Sequence, residues 1–207
     1  MKLFIFDWSG VISDDKKPVY EANMKVFKQF NKPVLSMDEF LRSSTMTFPE
    51  IALNHGINEP ADKLLELYKK CYNEVKKEGI TPVMYFNVSL ILKYIKINNK
   101  KLAVLSSHPI NSLLEEAKSY KINELFDVIV GEVNNKVKGL QLICEHFDIS
   151  PDSSLYTGDT IYDVRASKEA GVHSAAVYTG YHSRDRLKAE NPEYLMEDIR
   201  GLVPIIK

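Results

Sequence analysis

Five short apolar runs, at residues 3–6, 102–105, 126–130, 154–156 and 175–178, constrain this chain more than any other feature. Each has the length of a strand, is apolar on successive residues rather than alternating, and ends in a turn signal. A strand that is apolar on both faces needs cover on both faces. The segments between the later runs supply it, because residues 90–97, 113–120, 137–147 and 162–170 carry helical periodicity. The pattern predicts an α/β fold, a doubly wound parallel sheet with helices on either side. Ligands of such sheets sit at the carboxyl ends of the strands.

The alternation stops between residues 14 and 79, where the pattern is helical throughout. Val19, Asn23, Val26, Phe27 and Phe30 recur at helix spacing, as do Leu64, Leu65, Tyr68, Cys71, Tyr72 and Val75. Two shorter helices fit between them. Ser36 with Glu39 and Thr47 with Glu50 have capping-box spacing, Pro49 suits a first helical turn, and Gly56 suits a stop. The expected organisation is a core of residues 1–13 and 80–207, interrupted by a four-helix subdomain of residues 14–79.

The strand ends hold the polar residues. The first strand runs into Asp7-Trp8-Ser9-Gly10, a carboxylate followed by a glycine turn. The second ends in Ser106-Ser107-His108-Pro109, which brings a hydroxyl and free amides to a helix entrance that can hold an anion. The fourth ends in Gly158-Asp159-Thr160-Ile161-Tyr162-Asp163, whose two carboxylates, four residues apart, would share a helix face. Such carboxylates suit a hard cation such as Mg²⁺. Each element alone reads equally well as a cap or a turn; their recurrence at strand ends of one sheet carries the argument.

Taken together, these residues resemble the haloacid dehalogenase superfamily, and within it the phosphoglycolate phosphatases with a helical cap. The first motif is matched at residues 7–11, the second at Ser106, the basic third at Lys136 or Lys138, and the acidic fourth at Asp159 through Asp163. The resemblance implies a phosphatase of small phosphorylated metabolites. Asp7 would be the nucleophile and carry a transient aspartyl phosphate. Asp7, the Ser9 carbonyl, Asp159 and, through water, Asp163 would hold Mg²⁺. Ser106 and the Ser107 amide would bind phosphoryl oxygens, with Ser9 and Gly10 also lining the substrate. Arg42 and Thr45 fall where family members read the leaving group from the cap, whose closure would exclude water.

Of the two lysines, Lys136 lies four residues before Leu140 and seven before Ile143, on the apolar face, whereas Lys138 runs with Gln141 and Glu145. Lys136 is therefore the expected motif lysine. His182, beyond the fifth strand, is a candidate for the entrance, with a surface loop as its plainer reading.

One position departs from the family pattern. Where its phosphatases carry a second Asp as general acid and base, this chain has Ser9. Relatives without that acid include phosphonoacetaldehyde hydrolases, which use a cap lysine, and haloacid dehalogenases, which need no metal. No lysine occurs here between Lys32 and Lys63, and Asp159 and Asp163 are both retained. Those features favour a metal-dependent enzyme acting on phosphorus over either alternative; a phosphometabolite-binding protein that has lost most catalysis through Ser9 is a further alternative.

Composition narrows the partners. Twenty-seven basic against 28 acidic side chains give a formal charge of −1, so no basic field exists for nucleic acid or an anionic membrane. Two cysteines are too few for a disulfide framework or a zinc ribbon. The start offers four apolar residues before Asp7, short of a secretory signal, and the longest apolar stretch, 82–92, is half a membrane span. A cytoplasmic location is expected.

Overall fold

A computed structural model describes residues 1–43 and 47–206. The chain divides into two compact units, residues 1–14 with 84–207, and residues 15–83.

The first unit is built on a parallel six-stranded sheet. Its strands are β1 (Leu3–Phe6), β4 (Lys101–Leu105), β5 (Val128–Val130), β6 (Ser154–Gly158), β7 (His173–Val177) and β8 (Tyr194–Met196), in the order β5-β4-β1-β6-β7-β8. Successive strands step outward from β1 on one side, then outward from β6 on the other. The order therefore reverses beside β1, where open α/β sheets form their crevice. Two dipeptides, β2 (Ser13–Asp14) and β3 (Val83–Met84), form a separate two-stranded ribbon.

Burial explains the continuous apolar runs. Along β1, Phe4 and Phe6 enter one core cluster while Leu3 and Ile5 enter another, and along β4 Leu102 and Val104 separate likewise from Ala103 and Leu105. The first cluster is closed by α5 (Val88–Ile97), α6 (Ile110–Ser119) and α10 (Val203–Ile206), and the second by α7 (Lys136–Phe147) and α8 (Ile161–Ala170). Each fully buried side chain of this kind contributes about 1.5–3 kcal/mol. A short helix, α9 (Arg184–Ala189), precedes β8.

The sequence pattern did not anticipate β8, an edge strand of three residues, nor β2, whose Asp14 lies in the stretch read as wholly helical. Edge strands are half-covered, so they lack the continuous apolar signature of the central ones.

The second unit holds four helices: α1 (Lys16–Gln29), α2 (Met37–Ser43), α3 (Phe48–Asn54) and α4 (Ala61–Lys77). Ala22 and Val26 of α1 pack against Cys71 and Val75 of α4. Both expected capping boxes form, with the Ser36 amide donating to Glu39 Oε2 at 2.7 Å and the Thr47 amide to Glu50 Oε2 at 2.7 Å. Leu65 is an exception to the stripe predicted for α4, being 43% exposed, because Leu64, Tyr68, Cys71 and Val75 already define the inward face. Among the described residues, no helix is long and apolar enough to cross a membrane.

His173, at the start of β7, ties three strand starts together. Its Nε2 lies 2.8 Å from the Asp152 carbonyl before β6, and its Nδ1 meets Glu193 before β8. Both partners only accept, so both ring nitrogens carry protons and the imidazolium is favoured. The hydrogen bond to Glu193 raises the His173 pKa above its ordinary 6.5. A raised imidazole contributes stability that is complete below 6.5 and lost as pH rises through the folded-state value. Denaturant melts of the wild type and Glu193→Gln across pH 5 to 9 should therefore differ at the acid end, by under about 1 kcal/mol for so exposed a pair, and converge at the alkaline end.

Candidate active site

Two strand ends and two helix starts converge at the carboxyl edge of the sheet. Asp7 follows β1, its amide donating to the Thr157 carbonyl of neighbouring β6 at 2.9 Å. Asp159 follows β6, and Asp163 lies in the first turn of α8. The three carboxylates are buried, and each offers an oxygen within 4.8 Å of the others'. Lys136 opens α7 and reaches them with its ammonium, 2.8 Å from Asp7 Oδ2 and 2.6 Å from Asp163 Oδ1. Lys138, two residues on, is exposed and donates only its backbone amide to the Asn135 cap, as the helical phase requires.

Asp159 and Asp163 do not share a helix face. Helix α8 starts at Ile161 with Thr160 as its cap, so Asp159 lies in the turn before it. The two meet because the cap folds Asp163 back: Oδ2 accepts the Thr160 amide at 3.0 Å and the Thr160 hydroxyl at 2.6 Å. On the other oxygen, Oδ1 accepts Lys136 and the buried Tyr156 hydroxyl, the latter at 3.1 Å. A carboxylate has about four lone-pair sites. Those of Asp163 are all engaged by protein donors.

The electrostatics differ among the three. Burial raises the Asp7 pKa, against the pull of Lys136 beside it. Asp159 is pushed well above the ordinary carboxylate range, by burial first and then by the charges of Asp163 and Asp7, with the Tyr181 amide at 2.7 Å as a partial offset. Burial also works against an ionised Asp163, but Lys136 and Thr160 outweigh it and hold that carboxyl below its usual value. Lys136 is desolvated too, yet Asp163 and Asp7 keep it firmly protonated.

Three carboxylates against one ammonium leave two negative charges, which one divalent cation would balance. The oxygen-only donor set is that of a hard cation. Glycines make room for the Asp159 carboxylate: a Cβ on Gly10 or on Gly180 would run into it, and Gly10 adopts φ +75°, where a side chain is strained.

The remaining predicted residues divide. Ser106, at the end of β4, is buried, with its Oγ accepting the His108 amide at 3.2 Å; Ser107 beside it is exposed. Ser9 is half-buried between Asp7 and Gly10. The Gly10 amide is engaged within its own loop, donating to the Ser13 carbonyl at 2.9 Å, so this residue supplies space for Asp159 and no free donor to a substrate. Arg42 lies in the second unit, exposed on α2, with its guanidinium 3.6 Å from Asp38. Thr45 lies outside the described residues. His182 is not on an open surface loop; it is buried, and its Nδ1 accepts the first amide of α8 from Ile161 at 3.0 Å. Tyr156 was missed by sequence reading, since a tyrosine inside a central strand looks like packing.

Fold and site together define a doubly wound α/β protein with a buried carboxylate cluster at its strand ends. A family model described as haloacid dehalogenase-like hydrolase matches residues 4–177. The chain belongs to that hydrolase family. It is 24% identical over 220 residues to a phosphoglycolate phosphatase of Pseudomonas putida, covering 98% of this chain and 79% of the relative. A Caldanaerobacter subterraneus protein named as a candidate pyrophosphatase is 26% identical over 213 residues, covering 98% and 93%. Among solved structures, a predicted phosphoglycolate phosphatase from Haemophilus somnus 129pt shares the fold at TM-score 0.84 and 18% identity, covering 100% of this chain and 98% of its own.

Asp159 is a buried charge without full compensation, so Asp159→Asn should stabilise the metal-free protein at neutral pH by about 1–2 kcal/mol. The sign follows from its raised pKa: below its ordinary value of 3.8 both states are protonated and there is no penalty, which then grows as the unfolded carboxyl ionises and is complete above the folded-state value. Thermal melts in EDTA from pH 3.5 to 7.5 should show the advantage of the variant growing with pH.

Proposed function

We propose that this protein is a Mg²⁺-dependent, phosphoglycolate-phosphatase-like hydrolase of a small phosphorylated metabolite, with Asp7 as the nucleophile. The observation that carries the proposal is the Lys136 ammonium bridging Asp7 and Asp163 beside buried Asp159. Asp7 and Asp159, with the Ser9 carbonyl, would hold the metal ion; Asp163, engaged by Lys136, Tyr156 and Thr160, would add its charge nearby and accept a metal-bound water only in place of one of those donors. When bound, the ion supplies charge that offsets the repulsion between a phosphoryl group and the carboxylates.

The chain's own residues do the rest. The Trp8 amide holds Asp7 Oδ1 at 2.8 Å and Lys136 holds Oδ2, which aims the carboxylate and offsets part of the cost of ionising it in a buried place. Attack on phosphorus would give an aspartyl phosphate at Asp7, dividing one displacement into two easier ones. Lys136 and Ser106, with the Ser107 amide, would stabilise the phosphoryl oxygens as charge builds on them. Arg42 and Thr45 are proposed to read the leaving group. The two thiols, Cys71 and Cys144, are free and buried, in keeping with a cytoplasmic enzyme.

Ser9 then sets the leaving group. A serine hydroxyl is too weak an acid to protonate a departing alkoxide, so the preferred substrates are those whose leaving group departs as a stable anion: acyl or aryl phosphates and phosphoanhydrides.

A phosphate-release screen over sugar phosphates, phosphoglycolate, nucleotides and acyl phosphates, with and without Mg²⁺, tests the proposal. Turnover should require the metal, vanish in Asp7→Asn and fall about 10²- to 10³-fold in Lys136→Met. Activity indifferent to a chelator would overturn it. Ser9→Asp should raise turnover of an alkyl phosphate by about 10²- to 10⁴-fold and that of an acyl phosphate by less, since the acyl phosphate gains only the base that activates water. No gain on the alkyl phosphate would sink the leaving-group argument.

A further inference from the structure

The loop that carries Asp7 is held from behind. After β1 the chain coils on itself, the amides of Val11, Ile12 and Ser13 all donating to the Trp8 carbonyl, at 3.3, 2.8 and 2.9 Å. The Trp8 indole is fully buried and lies parallel to the Tyr120 ring, with centroids 6.1 Å apart and planes 9° from coplanar. Its Nε1–H donates to Glu116 Oε2 at 2.7 Å, and the Ser13 hydroxyl donates to the same oxygen at 2.9 Å. One carboxylate oxygen has two lone-pair sites, so both are engaged. Ser13 has a single proton, committed to Glu116; its contact with Tyr120 at 2.8 Å is therefore donated by the tyrosine. One oxygen on α6 thus pins the first and last residues of the loop.

We infer that Glu116 is a positioning residue for the reaction at Asp7, acting through Trp8 and Ser13. The inference rests on Asp7 being the nucleophile. Packing alone would not call for this pair. A phenylalanine at position 8 would fill nearly the same space without a donor, whereas a buried indole N–H left without an acceptor costs about 1–3 kcal/mol. What the Trp–Glu bond adds is direction. It fixes the rotation of residue 8, and with it the amide that holds Asp7 Oδ1. A nucleophile displaced by about 1 Å can lose about 10²-fold in rate.

Trp8 is the chain's only tryptophan, so its emission reports the clamp directly and without turnover. Steady-state kinetics on the best phosphate substrate of the wild type, together with Trp8 emission, would be compared for Glu116→Ala, Glu116→Gln and Ser13→Ala. Glu116→Ala should lose about tenfold or more in kcat with KM within about threefold, and shift the emission maximum. Glu116→Gln keeps an acceptor oxygen and should stay within about threefold of wild type, with native emission. Wild-type kcat in Glu116→Ala, or equal losses in the Ala and Gln variants, would overturn the inference. Should Glu116→Ala fail to fold, Ser13→Ala removes one of the two donors and keeps the reporter: an intermediate kcat supports the clamp, and wild-type kcat refutes it. A wild type inert on every phosphate would instead overturn the proposed function, and the emission series would still show whether the clamp exists.

Discussion

The ammonium of Lys136 is the contact on which the site depends. Three carboxylates, each placed by a different piece of local structure, meet in a buried space where like charges repel strongly and solvation is lost. By bridging Asp7 and Asp163, Lys136 favours the ionised form of both and leaves Asp159 as the carboxylate most in need of a cation. The folded state thereby carries a deficit of positive charge at the place where chemistry is proposed to occur. Such a site is built against stability and maintained by the large two-sided core beneath it.

That core supplies rigidity where it is needed. β1 lies between β4 and β6, with both of its faces buried, and its backbone pairing extends to the Asp7 amide. Asp7 thus follows directly on a strand paired on both edges and buried on both faces. Beyond it the chain leaves the sheet, and the loop of residues 8–13 keeps its shape through its own turn bonds, through Glu116, and through the Thr179 hydroxyl donating to the Gly10 carbonyl at 2.6 Å. The same logic recurs after β6, where Thr160 and His182 both satisfy the start of α8 and so determine where Asp163 points.

Much of this was legible in the chain itself. Apolar runs such as 3–6 and 102–105 declare strands covered on both faces, and the capping boxes at Ser36 and Thr47 mark helix starts that form as expected. The phase of Lys136 with Leu140 and Ile143 separates it from Lys138, because helical geometry is local and periodic. β8 was not legible, being three residues at a half-covered edge. Nor was the geometry of Asp159 and Asp163, since their spacing imitates a helix face although a turn lies between them.

The sequence by itself determined the fold class, the helical insertion and the set of chemical groups at the strand ends, because these follow from periodicity, capping and turn signals within a few residues. Tertiary structure alone decided which groups meet. Glu116 receives Trp8 across 108 residues and His182 takes the Ile161 amide across 21, while Tyr156, on a strand whose pattern says only that it is buried, meets Asp163 of the following helix. Hydrogen bonds of that kind leave no periodic trace, for they depend on where two distant segments come to rest against one core.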